Sequence, residues 1–244
     1  MPTGRPRKLP DHQPNPPTST RSGHPVPMMR IDPAGRPFIA GFAVPAVLLA
    51  LARRRWLALP LAAVAGFMTL FFRDPDRSCD RVPAPTDDVL APADGLVVVA
   101  GDPEPGVAPP GEWQQVSIFL SPVDIHMNRS PYRGSVTRCE YRAGAFLAAY
   151  RDRSSLDNER TEIWLADGER HIVFRQVVGV MARRIVTRTK VGAHLETGER
   201  MGLMKFGSRM DVFVPRDCTV IAARGDRVRG GETVIARWDD SVSA

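Results

Sequence analysis

Three residue types able to do acyl chemistry sit in separate turns of this chain. Asp94 lies in "PADG", His126 in "SPVDIHMNRSP" and Ser208 in "LMKFGSRMDVFVP". A serine hydrolase places its serine in a strained elbow such as GxSxG, and "KFGSRMD" lacks the second glycine at that spacing. Gly-Ser in a taut turn has another chemistry open to it. The serine hydroxyl can add to the carbonyl of its own preceding residue, and glycine there removes bulk and permits unusual backbone angles. The amide becomes an ester, and β-elimination then cuts the chain. The dehydroalanine left behind hydrolyses to a pyruvoyl group, an electron sink that replaces a bound cofactor. The attack needs a base for the serine proton and donors for the oxyanion. His126 and Asp94 are the candidates for base and orienting acid.

These turns need a frame. From Arg73 onward, turn signals such as "DPDR", "PAPTDD" and "GDPEPG" alternate with short β-type runs. The runs are 95–100, 115–120, 134–141, 161–165, 171–180, 211–214, 219–223 and 233–238, a spacing that fits a sandwich or barrel. Helix signals are few, the best being 180–188 and 143–152. "APADGLVVVAGD" (91–102) echoes "VPRDCTVIAARGD" (214–226), which suggests two hairpins facing each other. The fold class expected is α+β and β-rich: a barrel-sandwich-like core with few helices, preceded by an N-terminal apolar helical hairpin.

The hairpin comes from two uncharged runs, 38–52 and 56–72, flanking Arg53, Arg54 and Arg55. Each is slightly short of the roughly 20 residues a bilayer crossing needs. The arginines and Trp56 suit a headgroup layer. Residues 1–37, rich in Pro, Ser, Thr and Arg, cannot bury enough surface to fold and are expected to form a disordered basic arm. The expected division is therefore arm 1–37, membrane-associating hairpin 38–72 and catalytic domain 73–244. If both runs cross, the arm and the catalytic domain share one side.

A net charge of +6 favours an anionic partner, a membrane or a nucleic acid. Nucleic acid is disfavoured, because aromatics are not interleaved with the basic residues. Cys79, Cys139 and Cys218 are widely spaced, so neither a metal site nor a disulfide framework is expected, which fits a reducing cytoplasm.

From Phe71 to its end the chain resembles the phosphatidylserine decarboxylases, in the shorter bacterial and archaeal subclass. The matching pieces are "FFRDPDR" (71–77), "APADG" (91–95), "FLSPVDIHMNRSPYRG" (119–134), "NERT" (158–161), "RQVVGVMARRIV" (175–186), "RMGLMKFGSRMDVFVP" (200–215) and "GDRVRGGETVIA" (225–236). The resemblance implies self-cleavage between Gly207 and Ser208, giving a large chain 1–207 and a small chain 208–244. Ser208 would become the pyruvoyl group that forms a Schiff base with phosphatidylserine and yields phosphatidylethanolamine. An anionic membrane would be the partner, at the cytoplasmic face of the cell membrane. One departure stands out. Longer members carry two histidines three apart, and the second aligns with Arg129, so His126 is left to act both in processing and in protonating the carbanion. Arg129, Arg133, Arg183, Arg184 and Lys205 are candidates for holding the phosphate and carboxylate of the head group. The runner-up reading is a biotinyl or lipoyl carrier modified on Lys205, since "MK" followed by Pro-x-Asp and Gly-Asp turns also suits that hairpin.

Overall fold

A computed structural model describes residues 29–80, 82–148, 154–180, 185–205 and 208–239. In chain order the strands are β1 (Met29–Ile31), β2 (Arg73–Pro75), β3 (Asp88–Leu90), β4 (Gly95–Gly101), β5 (Trp113–Leu120), β6 (Met127–Arg129), β7 (Gly134–Arg142), β8 (Arg160–Asp167), β9 (Arg170–Val178), β10 (Ile185–Thr187), β11 (His194–Leu195), β12 (Arg200–Met204), β13 (Ser208–Pro215), β14 (Cys218–Val220), β15 (Arg227–Val228) and β16 (Val234–Trp238). The helices are α1 (Arg36–Leu51), α2 (Arg55–Phe71) and the single turn α3 (Ser154–Asp157). The β-rich α+β class expected from the turn spacing is the class found.

Eight antiparallel strands form the main sheet in the order β11-β7-β8-β9-β13-β5-β4-β15. Two three-stranded sheets, β10-β12-β6 and β14-β16-β3, accompany it. Alternation decides which side each residue of β13 faces. Met210, Val212 and Val214 join Ile118, Leu120, Phe174 and Met204 in the main core. Phe213 packs on the other face with Val107, Trp113 and Val173. That second face also buries charge. Arg209 donates to Asp211 at 2.6 Å and to Glu104 at 2.6 Å, and Asp211 also accepts from Ser117 and Ser155. Burial opposes ionisation of Asp211, but Arg209 and the two hydroxyls hold its carboxyl below the usual range.

Gly95 opens β4 where the chain runs against β5. A Cβ there would lie 2.2 Å from the Phe119 carbonyl oxygen, backbone that cannot swing aside. Gly95→Ala is expected to lower stability by about 1–3 kcal/mol, read as a lower midpoint in urea unfolding with an unchanged slope.

Two helix expectations fail. Within 180–188, Ile185–Thr187 is a strand paired with Gly202–Met204. Three consecutive β-branched residues fit a pleated surface better than a helix. Within 143–152, Gly144 lies against the backbone of Asp157–Glu159 and Ala145 bridges Asn158, so this stretch runs extended; residues 149–153 lie outside the described residues. The expected irregular arm also ends earlier. Met29–Ile31 pairs with Arg73–Pro75, and Asp32 caps the turn into α1 by accepting from the Ala34 N–H. Of the two echoing segments, β4 of the first lies in the main sheet and β14 of the second in a small one; the Asp226 carbonyl meets the Val97 N–H at 2.9 Å.

The hairpin is present. The stretch Pro33–Leu51 is long and apolar enough to cross a membrane, with mean hydropathy 1.7 and only 11% of it buried. So little burial does not fit the core helix of a globular body. Val44, Val47, Leu48, Leu51, Trp56 and Leu59 are exposed. The opposite end of the hairpin docks on the β domain, where Met68, Phe71 and Phe72 pack with Leu203.

Candidate active site

The stretch with Gly207-Ser208 is two strands rather than one broken strand. β12 ends at Met204 in a small sheet, and β13 starts at Ser208 in the centre of the large one. Phe206 and Gly207, between them, lie outside the described residues, as do Arg183 and Arg184. Ser208 pairs with Leu120 on one side and Val178 on the other. It is fully buried, and its Oγ has no hydrogen-bond partner among the described residues. Buried hydroxyls are rarely left so.

His126 lies at the same end of the sheet. The segment that carries it leaves β5 at Leu120, opposite Ser208, and meets β12 where the Met204 N–H donates to the His126 carbonyl at 3.4 Å. Local chemistry fixes this loop. The Asp124 carboxylate accepts from the Ser121 N–H at 2.8 Å and its hydroxyl at 2.6 Å, and it pairs with Arg227 at 2.9 Å. His126 Nδ1 lies 2.9 Å from the Asp124 carbonyl oxygen. A carbonyl can only accept, so Nδ1 carries the proton and Nε2 holds the free lone pair. Nε2 is buried without a hydrogen-bond partner among the described residues. The ring lies on Phe71, centroids 4.0 Å apart, at the last residue of α2. Burial in this apolar setting pushes the His126 pKa down to about 4. The imidazole is therefore neutral, and a base, at neutral pH.

Asp94 is not joined to either residue. Both oxygens of its carboxylate accept from Arg77 Nη2, at 2.7 and 2.8 Å, and one also accepts from the Gly230 N–H at 2.8 Å. The orienting contact expected from Asp94 is made by the Asp124 carbonyl instead. Asp94 ties the turn before β4 to the turn after β15.

The candidate anion-binding residues separate. Arg129 is buried, and its guanidinium is engaged by Asp80 at 2.8 and 3.0 Å and the Gly198 carbonyl at 2.8 Å. That makes it an organiser of the 74–80 segment, where Arg200 also meets Asp74 and Asp80. Arg133 is half-exposed and paired with Asp167 at 2.7 Å. The Lys205 ammonium sits 4.7 Å over the Phe38 ring at the hairpin junction. A lysine held there is not at an exposed hairpin tip, as a carrier domain requires. Arg73, which the residue pattern alone did not single out, follows α2 directly. It donates to the Leu70 carbonyl at 2.6 Å and the Val123 carbonyl at 2.9 Å, and no carboxylate pairs with it among the described residues.

A nucleophile and a base, both buried and both without a hydrogen-bond partner among the described residues, thus lie at one end of the main sheet beneath an apolar hairpin. The family model for phosphatidylserine decarboxylase matches residues 64–236, a span that includes Ser208, His126 and Phe71. The chain belongs to the phosphatidylserine decarboxylase family. Among its relatives, the phosphatidylserine decarboxylase proenzyme of Solibacter usitatus is 38% identical over 215 residues, covering 88% of this chain and all of that protein. The proenzyme of Symbiobacterium thermophilum is 44% identical over 206 residues, covering 83% and 93%. That of Saccharopolyspora erythraea is 43% identical over 218 residues, covering 84% and 86%. The word proenzyme in these names describes a decarboxylase made as a precursor, which is the behaviour the Gly-Ser chemistry requires.

Proposed function

We propose that this decarboxylase cuts itself between Gly207 and Ser208 and then, as chains 1–207 and 208–244, converts phosphatidylserine to phosphatidylethanolamine at the membrane surface. The observation that carries this reading is a pair of buried atoms without partners among the described residues, Ser208 Oγ and His126 Nε2. In the precursor, His126 Nε2 takes the Ser208 proton as Oγ adds to the Gly207 carbonyl carbon. The C–N bond then breaks and an ester forms. Loss of the proton on the Ser208 Cα and cleavage of its Cβ–O bond separate the chains, leaving a carboxylate on Gly207. Water then replaces the nitrogen at position 208, which departs as ammonia. The residues present fit a pyruvoyl group at this position: a small residue, buried, at the start of a central strand. When formed, that group supplies the electron sink for decarboxylation. His126, whose pKa of about 4 leaves it neutral at neutral pH, takes up and returns a proton at Nε2. Phe71 and the apolar surroundings exclude water from it.

Delivery of the lipid follows from the hairpin. α1 and α2 would sit in the bilayer from its cytoplasmic face, with their docked end leading to His126 and to the strand before the cleavage site. Arg73 and Lys205, at that junction, would meet the anionic head group. Arg129 and Asp94 hold the turns around the site through Asp80 and Arg77. The direct test incubates the purified protein with phosphatidylserine in mixed micelles and follows carbon dioxide release and phosphatidylethanolamine formation. Absence of both from a fully cleaved protein overturns the assignment.

The bilayer role carries its own prediction. Val47→Asp together with Leu48→Asp, both on the exposed face of α1, should cost each site about 3 kcal/mol of insertion. Co-flotation with phosphatidylserine-containing vesicles should fall at least tenfold while self-cleavage proceeds. Unchanged flotation would remove the hairpin from the membrane.

A further inference from the structure

A third buried polar atom, Nδ2 of Asn128, has no partner among the described residues. Asn128 is fully buried in β6, two residues after His126. Its amide is not free to turn. Oδ1 accepts from Gln176 Nε2 at 2.9 Å, and Gln176 Oε1 accepts from Thr187 Oγ1 at 2.8 Å. This chain of donors fixes which end of the Asn128 amide is left over, and it is the donating end.

The register puts that amide over the face of the sheet that carries the serine. Gln176 is opposite Met210, and Val178 is opposite Ser208. Residues two apart on a strand share a face, so Gln176 and Ser208 are diagonal neighbours on one face, about 7–8 Å apart. Asn128 is hydrogen-bonded to Gln176 over that same face. The three orphan atoms are complementary: a nucleophile at Ser208, a lone pair at His126 and an N–H donor at Asn128. A donor buried without an acceptor costs stability. It costs nothing at the moment when an oxygen beside it becomes negative.

We propose that Asn128 is a catalytic residue of self-cleavage, donating its Nδ2–H to the oxygen that becomes negative when Ser208 Oγ adds to the carbonyl before it. In that step the Oγ–C bond forms and the carbonyl π pair moves onto oxygen, while the serine proton passes to His126 Nε2. The donor is held in place beforehand by Gln176 and Thr187, so little reorganisation accompanies the reaction. The inference rests on the self-cleavage reading and gives its oxyanion a partner.

The test is the time course of cleavage after a pulse of cell-free synthesis of the full chain. Asn128→Asp keeps an acceptor for Gln176 and removes the donor; Asn128→Ser shortens the side chain away from the site. Each should slow cleavage about 10²–10³-fold. The same substitutions placed in a Ser208→Ala chain, which cannot cut, should leave its melting temperature within a few degrees. The pH midpoint of cleavage, set by His126, should be unchanged in Asn128→Ser. Cleavage by either variant within threefold of the wild-type rate overturns the proposal. So does failure of either to fold in the Ser208→Ala background, since Asn128 would then be structural. A wild-type chain that never cuts sinks the parent reading instead, and a wild-type chain that cuts beside an equally fast Asn128→Ser sinks this one alone.

Discussion

Ser208→Ala is expected to persist as one 244-residue chain with no decarboxylase activity. The hydroxyl is the atom that attacks, and alanine offers none. Loss should be complete rather than partial, because without cleavage no electron sink forms at position 208 and no second residue can replace it. The fold should survive. Ser208 Oγ makes no hydrogen bond among the described residues, so its removal breaks none, and the smaller side chain fits the same buried position. Melting of the variant should match that of an uncut wild-type chain. A cleaved or active Ser208→Ala protein would show that another residue carries the chemistry.

His126→Ala should lower the rate of chain cleavage about 10²–10⁴-fold, the range expected when a general base is removed. The same substitution alters the pH dependence of stability in a defined direction. In the folded protein, burial lowers the pKa of His126 from 6.5 to about 4. The unfolded chain therefore binds a proton on this residue between those two values while the folded chain does not. Its contribution is fully present above pH 6.5 and is lost as pH falls towards 4. The loss totals about 3 kcal/mol. Urea midpoints of Ser208→Ala between pH 7 and pH 4 should show this slope, and the double variant Ser208→Ala/His126→Ala should show a shallower one. Cleavage itself should hold its rate from neutral pH to about 5, then fall as Nε2 is protonated.

Much of this molecule can be read in its residues, for reasons that differ by element. The alternation of "SRMDVFVP" and "WQQVSIFL" announces the two strands that position Ser208, because one side of each must enter the core. The hairpin is legible because two long uncharged runs have few other uses. Ser208 stands out because glycine before serine is a poor choice inside a strand. Other features are set at a distance that local pattern does not reach. Asp94 reads as a candidate partner for His126, but its carboxylate is taken by Arg77, 17 positions away, and by Gly230, 136 positions away. Arg129 reads as a free cation and is buried against Asp80. Ile185–Thr187 sits in a stretch with helical pattern, and its pairing with β12 decides otherwise. The sharpest signals of the site, three orphan atoms on Ser208, His126 and Asn128, exist only once the 126–128 segment meets the start of β13. The motif "DIHMN" held a hint of the last, since His and Asn two apart in an extended chain can share a face.

The intact mass of purified wild-type protein tests the central claim most directly. Self-cleavage at Ser208 predicts two chains, ending at Gly207 and beginning at position 208. Their masses should sum to that of the whole chain plus one water minus one ammonia, and the smaller should resist sequencing from its N-terminus. A single uncut chain with full activity would contradict the account. So would two fragments whose masses sum to the whole plus one water alone, since that is ordinary proteolysis.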